Sequence, residues 1–244
     1  MISDINCVIS AYGENGLIRA KKLIEMTNEL FRRTILVINE EDRLCESIRL
    51  AGSYCEIRRP NLGMNIGAWL SGIKMCEEGY PVICLQDECE LASPDAPQRY
   101  SKLLREDGVG MVGESLNTKW DRTWEAMRRS SLNYGICLPN QGETPRVEFY
   151  LQCMQDWGIH SGKTAVHLRS LACGFPWSVA SHLPDLPLSN NKEQCIAAEI
   201  GISKFVANNL GLSVIQSGAR PFSYFSHPEW HPNGLSKISN WRNN

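Results

Sequence analysis

Asp87, Glu88 and Glu90 crowd three carboxylates into four positions, directly after the apolar run 82–85 (Val-Ile-Cys-Leu) and Gln86. A cluster of this type can hold a divalent cation against a diphosphate, one or two carboxylates supplying ligands and the phosphate oxygens completing the shell. The cation then neutralises charge as a bond to the diphosphate breaks. Hard oxygen ligands select magnesium or manganese. The alternative is a solvated acidic turn, and the position just after a buried strand leaves the two evenly matched, since side chains there are not placed by packing.

Upstream, Arg58-Arg59-Pro60-Asn61-Leu62-Gly63-Met64-Asn65-Ile66-Gly67 sets two guanidinium groups beside a glycine-punctuated loop at the mouth of a helix, with Asn65 where an N-cap would sit. Such a helix start can hold phosphate, and the plainer alternative is an ordinary loop and cap. Trp120, Trp124, Trp177 and Trp230 offer flat faces for sugar rings or, equally, material for a core. His227 and His231 lie four apart in an aromatic tail that does not promise the helix a transition-metal pair would need, and a structural role competes for both.

The elements that must position these groups alternate. Residues 5–11 (INCVISA) read as a buried strand stopped by the turn formers of 12–16, and apolar positions from Leu17 to Phe31 recur at helical spacing. Residues 34–38 repeat the strand signal and end in Asn39-Glu40-Glu41-Asp42. A helical stretch is expected through Leu44, Ile48 and Leu50, then a strand over 54–57, a helix over 67–78, a strand over 82–85, a helix over 96–105 and a strand over 109–112. Strands alternating with helices pair in parallel under helical cover, and ligands bind such sheets at the carboxyl ends of the strands. Residues 12–15, 39–42, 58–67 and 87–90 should therefore open onto one crevice. Beyond Gly113 the alternation weakens. Thr144-Pro145 starts a helix, 163–171 reads as another, 183–191 as loop, and 192–210 as a long helix closed by Gly211 before a strand over 213–216; the tail from Pro221 shows no regular element.

Composition bounds the chemistry. A net charge of −2 over 244 residues provides no basic field for nucleic acid or an anionic membrane. The ten cysteines are scattered without a Cys-x-x-Cys pair, several inside apolar runs, which reads as reduced core thiols in a cytoplasmic protein. The N-terminus lacks a basic segment followed by a long apolar run, and no stretch reaches the ~18 apolar residues of a bilayer span.

The strand Val8-Ile9-Ser10-Ala11-Tyr12, the second strand ending in acids, the Asn65-Ile66-Gly67 turn and the apolar strand entering Gln86-Asp87-Glu88-Cys89-Glu90-Leu91 together resemble the nucleotide-sugar half of the GT-A glycosyltransferases. The family 2 type of polysaccharide-synthesising enzyme is the nearest likeness. That family carries an Asp-x-Asp at the end of an apolar strand, followed by a hydrophobic residue and a proline; residues 82–94 fit, with Gln86 in the first aspartate position and Glu88 in the last, metal-binding one. Residues 195–203, running on to Gly211 and a short strand, are similar to the family's base-bearing helix, with Glu199 in the base position, Ile200 in place of a second acid and Glu193 as a competing candidate.

What the resemblance implies is an α/β, GT-A-like (Rossmann-like) fold, a mostly parallel sheet flanked by helices, in one domain over 1–244. Residues 1–115 would form the nucleotide-sugar half, 116–220 the acceptor side and 221–244 a tail. The implied activity is transfer of a sugar from a nucleoside diphosphate sugar to a saccharide or lipid-linked acceptor in surface polysaccharide synthesis, the latter bringing peripheral membrane association. Asp87 and Glu88 would hold the diphosphate through manganese or magnesium, with His227 or His231 reaching back to it. Tyr12, Asn39 and Glu40 would flank the nucleoside, Arg59 and Asn65 the rest of the donor, and Glu199 would take the proton of the acceptor hydroxyl. A nucleotidyltransferase is disfavoured because the first strand lacks a glycine-rich, basic loop for a triphosphate. The alternative from another class is a non-catalytic nucleotide- or carbohydrate-binding module with a decayed metal site, which Gln86 and Ile200 would suit.

Overall fold

Residues 5–11 carry no charged side chain, so a strand built from them is stable only with both faces covered. In the computed structural model, which describes residues 3–27, 29–138, 142–189 and 191–228, that segment is the central strand of an eight-stranded sheet. In chain order the elements are β1 (Ser3–Tyr12), α1 (Gly13–Thr27), β2 (Phe31–Glu40), β3 (Ser47–Ala51), β4 (Tyr54–Pro60), α2 (Met64–Ile73), β5 (Val82–Gln86), β6 (Glu90–Leu91), α3 (Ala96–Leu103) and β7 (Val109–Gly113). There follow α4 (Trp124–Arg128), β8 (Gly135–Leu138), β9 (Gly142–Pro145), α5 (Arg146–Asp156), β10 (Ala172–Phe175), α6 (Trp177–Ala180), α7 (Lys192–Lys204), β11 (Ser213–Gln216) and β12 (Phe225–Ser226).

The sheet order is β11-β7-β10-β5-β1-β2-β4-β3. Strands β5, β1, β2 and β4 run parallel, as do β7 and β11, while β10 is inserted antiparallel between β5 and β7 and β3 lies antiparallel along the β4 edge. The fold class is thus α/β, a mostly parallel sheet flanked by helices. Alternate residues of the central strands feed two cores. Val8 and Ile35 pack with Ile66 and Trp69 of α2 and with α5 and α7 on one face; Cys7 and Ile9 pack with Leu23 of α1 and Tyr100 of α3 on the other. Val8, Ile9, Ile35 and Leu36 are wholly buried, each contributing about 1.5–3 kcal/mol of hydrophobic stabilisation.

Five expectations are corrected. The stretch through Leu44, Ile48 and Leu50 forms no helix: Gly52, at φ 67, turns the chain so that Ala51 pairs with Tyr54, and β3 becomes an edge strand with those three side chains exposed. Leu30 and Phe31, read as the end of a helix, leave it, and Phe31 opens β2. Residues 163–171 form no helix either, because their backbone groups pair with the segment 115–122: Ala165 N–H with Arg122 O, Arg169 N–H with Ser115 O, and Asn117 N–H with His167 O. The tail does contain a strand, β12, paired antiparallel with β6 through Phe225↔Leu91 and Ser226↔Glu90. The long helix, expected as one element, is α7 continued by a π-helical turn over Phe205–Asn209, and Gly211 closes it at φ 69.

All ten cysteines are free and eight of them buried, Cys45 and Cys137 being exposed. Among the described residues no helix is long and apolar enough to cross a membrane.

Candidate functional site

Parallel pairing brings the carboxyl ends of β1, β2, β4 and β5 to one edge of the sheet, and there they enclose a crevice of about 350 Å³. Tyr12, Asn39, Glu41, Asn61, Asn65 and Asp87 line it, so each of the four segments expected to meet does contribute. A shallower hollow of about 620 Å³ adjoins it over Tyr12, Gly13 and residues 39–45.

Asn39 is buried at the end of β2, its amide N–H donating to Met64 O (2.9 Å) and its carbonyl accepting from Arg59 Nη1 (3.1 Å). Arg59 also donates to Leu62 O (3.1 Å). It is therefore a brace for Asn39 and the loop, and does not line the crevice as expected. Gly67 makes that loop possible, since a Cβ there would fall 1.9 Å from Leu62 O and 3.0 Å from Arg59 Nη1. Asn65 is not the N-cap: Gly63, at φ 76, holds that place, and Asn65 Nδ2 instead donates to Ser170 O across the crevice floor (2.8 Å).

Glu40 faces away from the crevice, locked by Arg58 and Arg43 (2.5 Å each). The Arg43 hydrogen bond, joined by that of Arg58, holds its carboxyl below the usual range against the cost of burial. Its neighbour Glu41 supplies the acid, accepting from Tyr12 Oη (3.0 Å) and Asn61 Nδ2 (2.6 Å). Glu41 sits in the turn just past β2, where its carboxylate lines the crevice and that of Glu40 does not.

At the end of β5, Asp87 Oδ2 receives both Nε (2.7 Å) and Nη2 (2.5 Å) of Arg19 from α1. Burial holds the Asp87 carboxyl above its ordinary value, and Arg19 offsets this only in part. Glu88 lies 4.0 Å from the same Nη2 and 3.4 Å from His227 Nε2, which the β12–β6 pair delivers. Gln86 turns its amide to Ser170 O (2.7 Å). This donor set does not fit a divalent ion: the first motif position is an amide already engaged, and a guanidinium neutralises Asp87. Among the described residues no three histidine, cysteine or carboxylate side chains gather as metal ligands.

Ser170 is the hub that the sequence did not reveal. Its carbonyl accepts from Asn65 and Gln86, while its N–H (2.7 Å) and Oγ (2.5 Å) both donate to Glu199 Oε2. Glu199 Oε1 faces His167 Nε2 at 3.4 Å, and His167 Nδ1 lies 2.8 Å from Ala165 O. Burial raises the Glu199 carboxyl, but the His167 and Ser170 hydrogen bonds outweigh it and hold the group below its ordinary value. Ser170 thus stands behind the lining residues Asn65 and Gln86, and Glu199 behind Ser170. Glu193 is engaged elsewhere, by Tyr150 Oη and by Arg146 at 3.2 Å.

Trp120 and Trp124 are core residues, 4% and 5% exposed, and Trp177 lines a separate hollow beside Leu70 and Leu183. Trp230 and His231 lie outside the described residues.

No family model matches the sequence, and no curated protein is similar to it in sequence. Solved structures with a similar course include a mannosyltransferase from Pyrobaculum calidifontis in complex with GDP-Man and Mn2+ (9% identity, 88% of this chain and 55% of that one, TM-score 0.48). Glucosyl-3-phosphoglycerate synthase from Mycobacterium tuberculosis with Mn2+, UDP and glucosyl-3-phosphoglycerate is another (12% identity, 98% and 76%, TM-score 0.48). The inositol-1-phosphate CTP transferase of T. maritima is a third (10% identity, 100% and 96%, TM-score 0.44). This chain spans 55% of the length of the mannosyltransferase.

Proposed function

We propose that this chain is a glycosyltransferase that takes a sugar from a nucleoside diphosphate donor and passes it to a saccharide or lipid-linked acceptor in surface polysaccharide synthesis. The observation that carries the reading is the convergence of four parallel strand ends on one polar crevice holding Tyr12, Asn39, Asn65 and Asp87. In this reading the nucleoside lies against Tyr12, Glu41 and Asn61, and the diphosphate points towards the end of β5. Residues 1–115 hold the donor, and the acceptor enters from the side of 116–220.

In the reaction the acceptor oxygen bonds to the anomeric carbon as the bond from that carbon to the diphosphate oxygen breaks. The acceptor proton passes to Ser170 Oγ while the Ser170 proton passes to Glu199, which the Ser170–Glu199 hydrogen bond supports.

The test is to incubate the protein with a panel of nucleoside diphosphate sugars and oligosaccharide acceptors, following nucleoside diphosphate release. Acceptor-dependent release is expected; failure of every nucleoside diphosphate to bind would sink the reading. The engagement of Asp87 by Arg19 favours a second reading, a non-catalytic binding module, whose signature is binding without release under any acceptor.

A further inference from the structure

Arg19 lies on the polar face of α1, among residues that solvent alone would explain, yet its guanidinium reaches from the helix to the end of β5 and rests on Asp87. The approach is built in. Gly16, one turn earlier, lets the helix come so near that a Cβ there would be 3.3 Å from Asp87 Oδ2, and Asp87 itself is fixed by its N–H to Ser10 O (2.9 Å). Asp87, which lines the crevice, takes Nε and one Nη2 hydrogen; Arg19 itself stands just outside the lining, 46% exposed, with the Nη1 pair and the other Nη2 hydrogen left as donors.

Position and charge then agree. Nη2 is 2.5 Å from Asp87 and 4.0 Å from Glu88, so a permanent cation stands between the two carboxylates that were expected to share a metal. A diphosphate entering beside these acids needs a positive charge to meet it, and a guanidinium presents donors in the planar fork that suits phosphate oxygens. Gln86 supplies no third acid, and its amide is tied to Ser170.

We propose that Arg19, oriented by Asp87, offers its remaining N–H donors to the donor diphosphate in place of a divalent cation, so that the site binds nucleoside diphosphate without metal. This rests on the nucleotide-sugar reading above. The roles follow: Asp87 is the positioning residue for the guanidinium, and Glu88 faces His227.

Calorimetric titration with uridine, guanosine, adenosine, cytidine and thymidine diphosphates, in EDTA and in Mn2+, tests both ideas separately. At least one diphosphate should bind in EDTA with a Kd within about threefold of that in Mn2+, and Arg19→Gln should weaken binding in EDTA by about ten- to a hundredfold, the loss of a charged hydrogen-bonded contact. Binding that appears only with Mn2+, or is unchanged in Arg19→Gln, overturns the inference and leaves the transferase reading standing. No binding in either buffer overturns both. If Arg19→Gln does not fold, as its melting curve will show, the wild-type comparison in EDTA and Mn2+ still decides.

Discussion

Ser170 does two jobs with different atoms, and that separates its roles experimentally. Its carbonyl holds Asn65 and Gln86, while its hydroxyl meets Glu199. Ser170→Ala keeps the carbonyl and removes the hydroxyl, so nucleoside diphosphate binding should hold within about threefold while turnover falls by about a hundredfold or more, the usual scale for losing acid–base assistance. Glu199→Gln should behave alike. Turnover retained in either variant would place the proton acceptor elsewhere, and binding lost with turnover would make Glu199 a positioning residue. The pH dependence carries a sign: because the Glu199 carboxyl is held below its ordinary value, its contribution to stability is present above the unfolded carboxylate range and is lost as pH falls through the folded value. Acid melting of wild type against Glu199→Gln should show that loss in the wild type alone. Asp87 and Asn65 were legible because strand-end position and loop chemistry are written locally. Ser170 and Arg19 were not, since each acts through partners far along the chain, Ser170 on Asn65 and Arg19 on Asp87, and locally one reads as a helix residue and the other as a solvated one.

Elements were legible in proportion to how locally they are determined. The uncharged run 5–11 of β1 and the strand-plus-acid endings of β2 and β5 announce themselves through burial on both faces. The edge strand β3 misled because Ile48 and Leu50, two apart, also suit helical spacing when Leu44 is counted with them, and only the Gly52 turn decides. β10 was hidden for a different reason: it is four residues long and exists because β5 and β7 leave a gap it fills. The end of α7 yields a prediction. Lys204 is 5% exposed, its ammonium 6.0 Å from the Trp124 ring, and burial pushes its pKa down to about 8. Its unfolded counterpart titrates near ~10.4, so between those values the unfolded chain binds the extra proton and stability rises with pH by roughly 3 kcal/mol from this group. Lys204→Met removes the charge at similar volume. Denaturant titrations should find the variant the more stable at pH 7, with its advantage shrinking towards pH 10; an advantage that does not change with pH would mean the lysine is solvated in the folded state.

Across the whole molecule, the segment 217–227 ties the far edge of the sheet back to the crevice. Glu114, at the end of β7 and 1% exposed, is the anchor: Tyr100 Oη and Ser217 Oγ donate to its Oε1 (2.8 Å each) and Tyr224 N–H to its Oε2 (3.1 Å). From there β12 pairs with β6 and places His227 beside Glu88. No periodicity could foretell a two-residue pairing between Glu90 and Ser226, because its stability comes from the anchor and not from the strands. Glu114→Gln keeps the shape but gives up the charge, so the hydrogen bonds with Tyr100, Ser217 and Tyr224 lose their charge assistance at a cost of about 1–2 kcal/mol. Hydrogen exchange at Tyr224 and Phe225 should quicken while that of Val8 keeps pace with the global change alone. Burial holds the Glu114 carboxyl above its ordinary value, so the unfolded chain ionises first and this group's contribution is lost as pH rises from the unfolded value towards the folded one. The stability gap between wild type and Glu114→Gln should therefore narrow over that climb. A constant gap, or unaltered exchange at Tyr224, would mean that the strap is held by the Phe225 side chain packed against Tyr100 and not by the buried carboxylate.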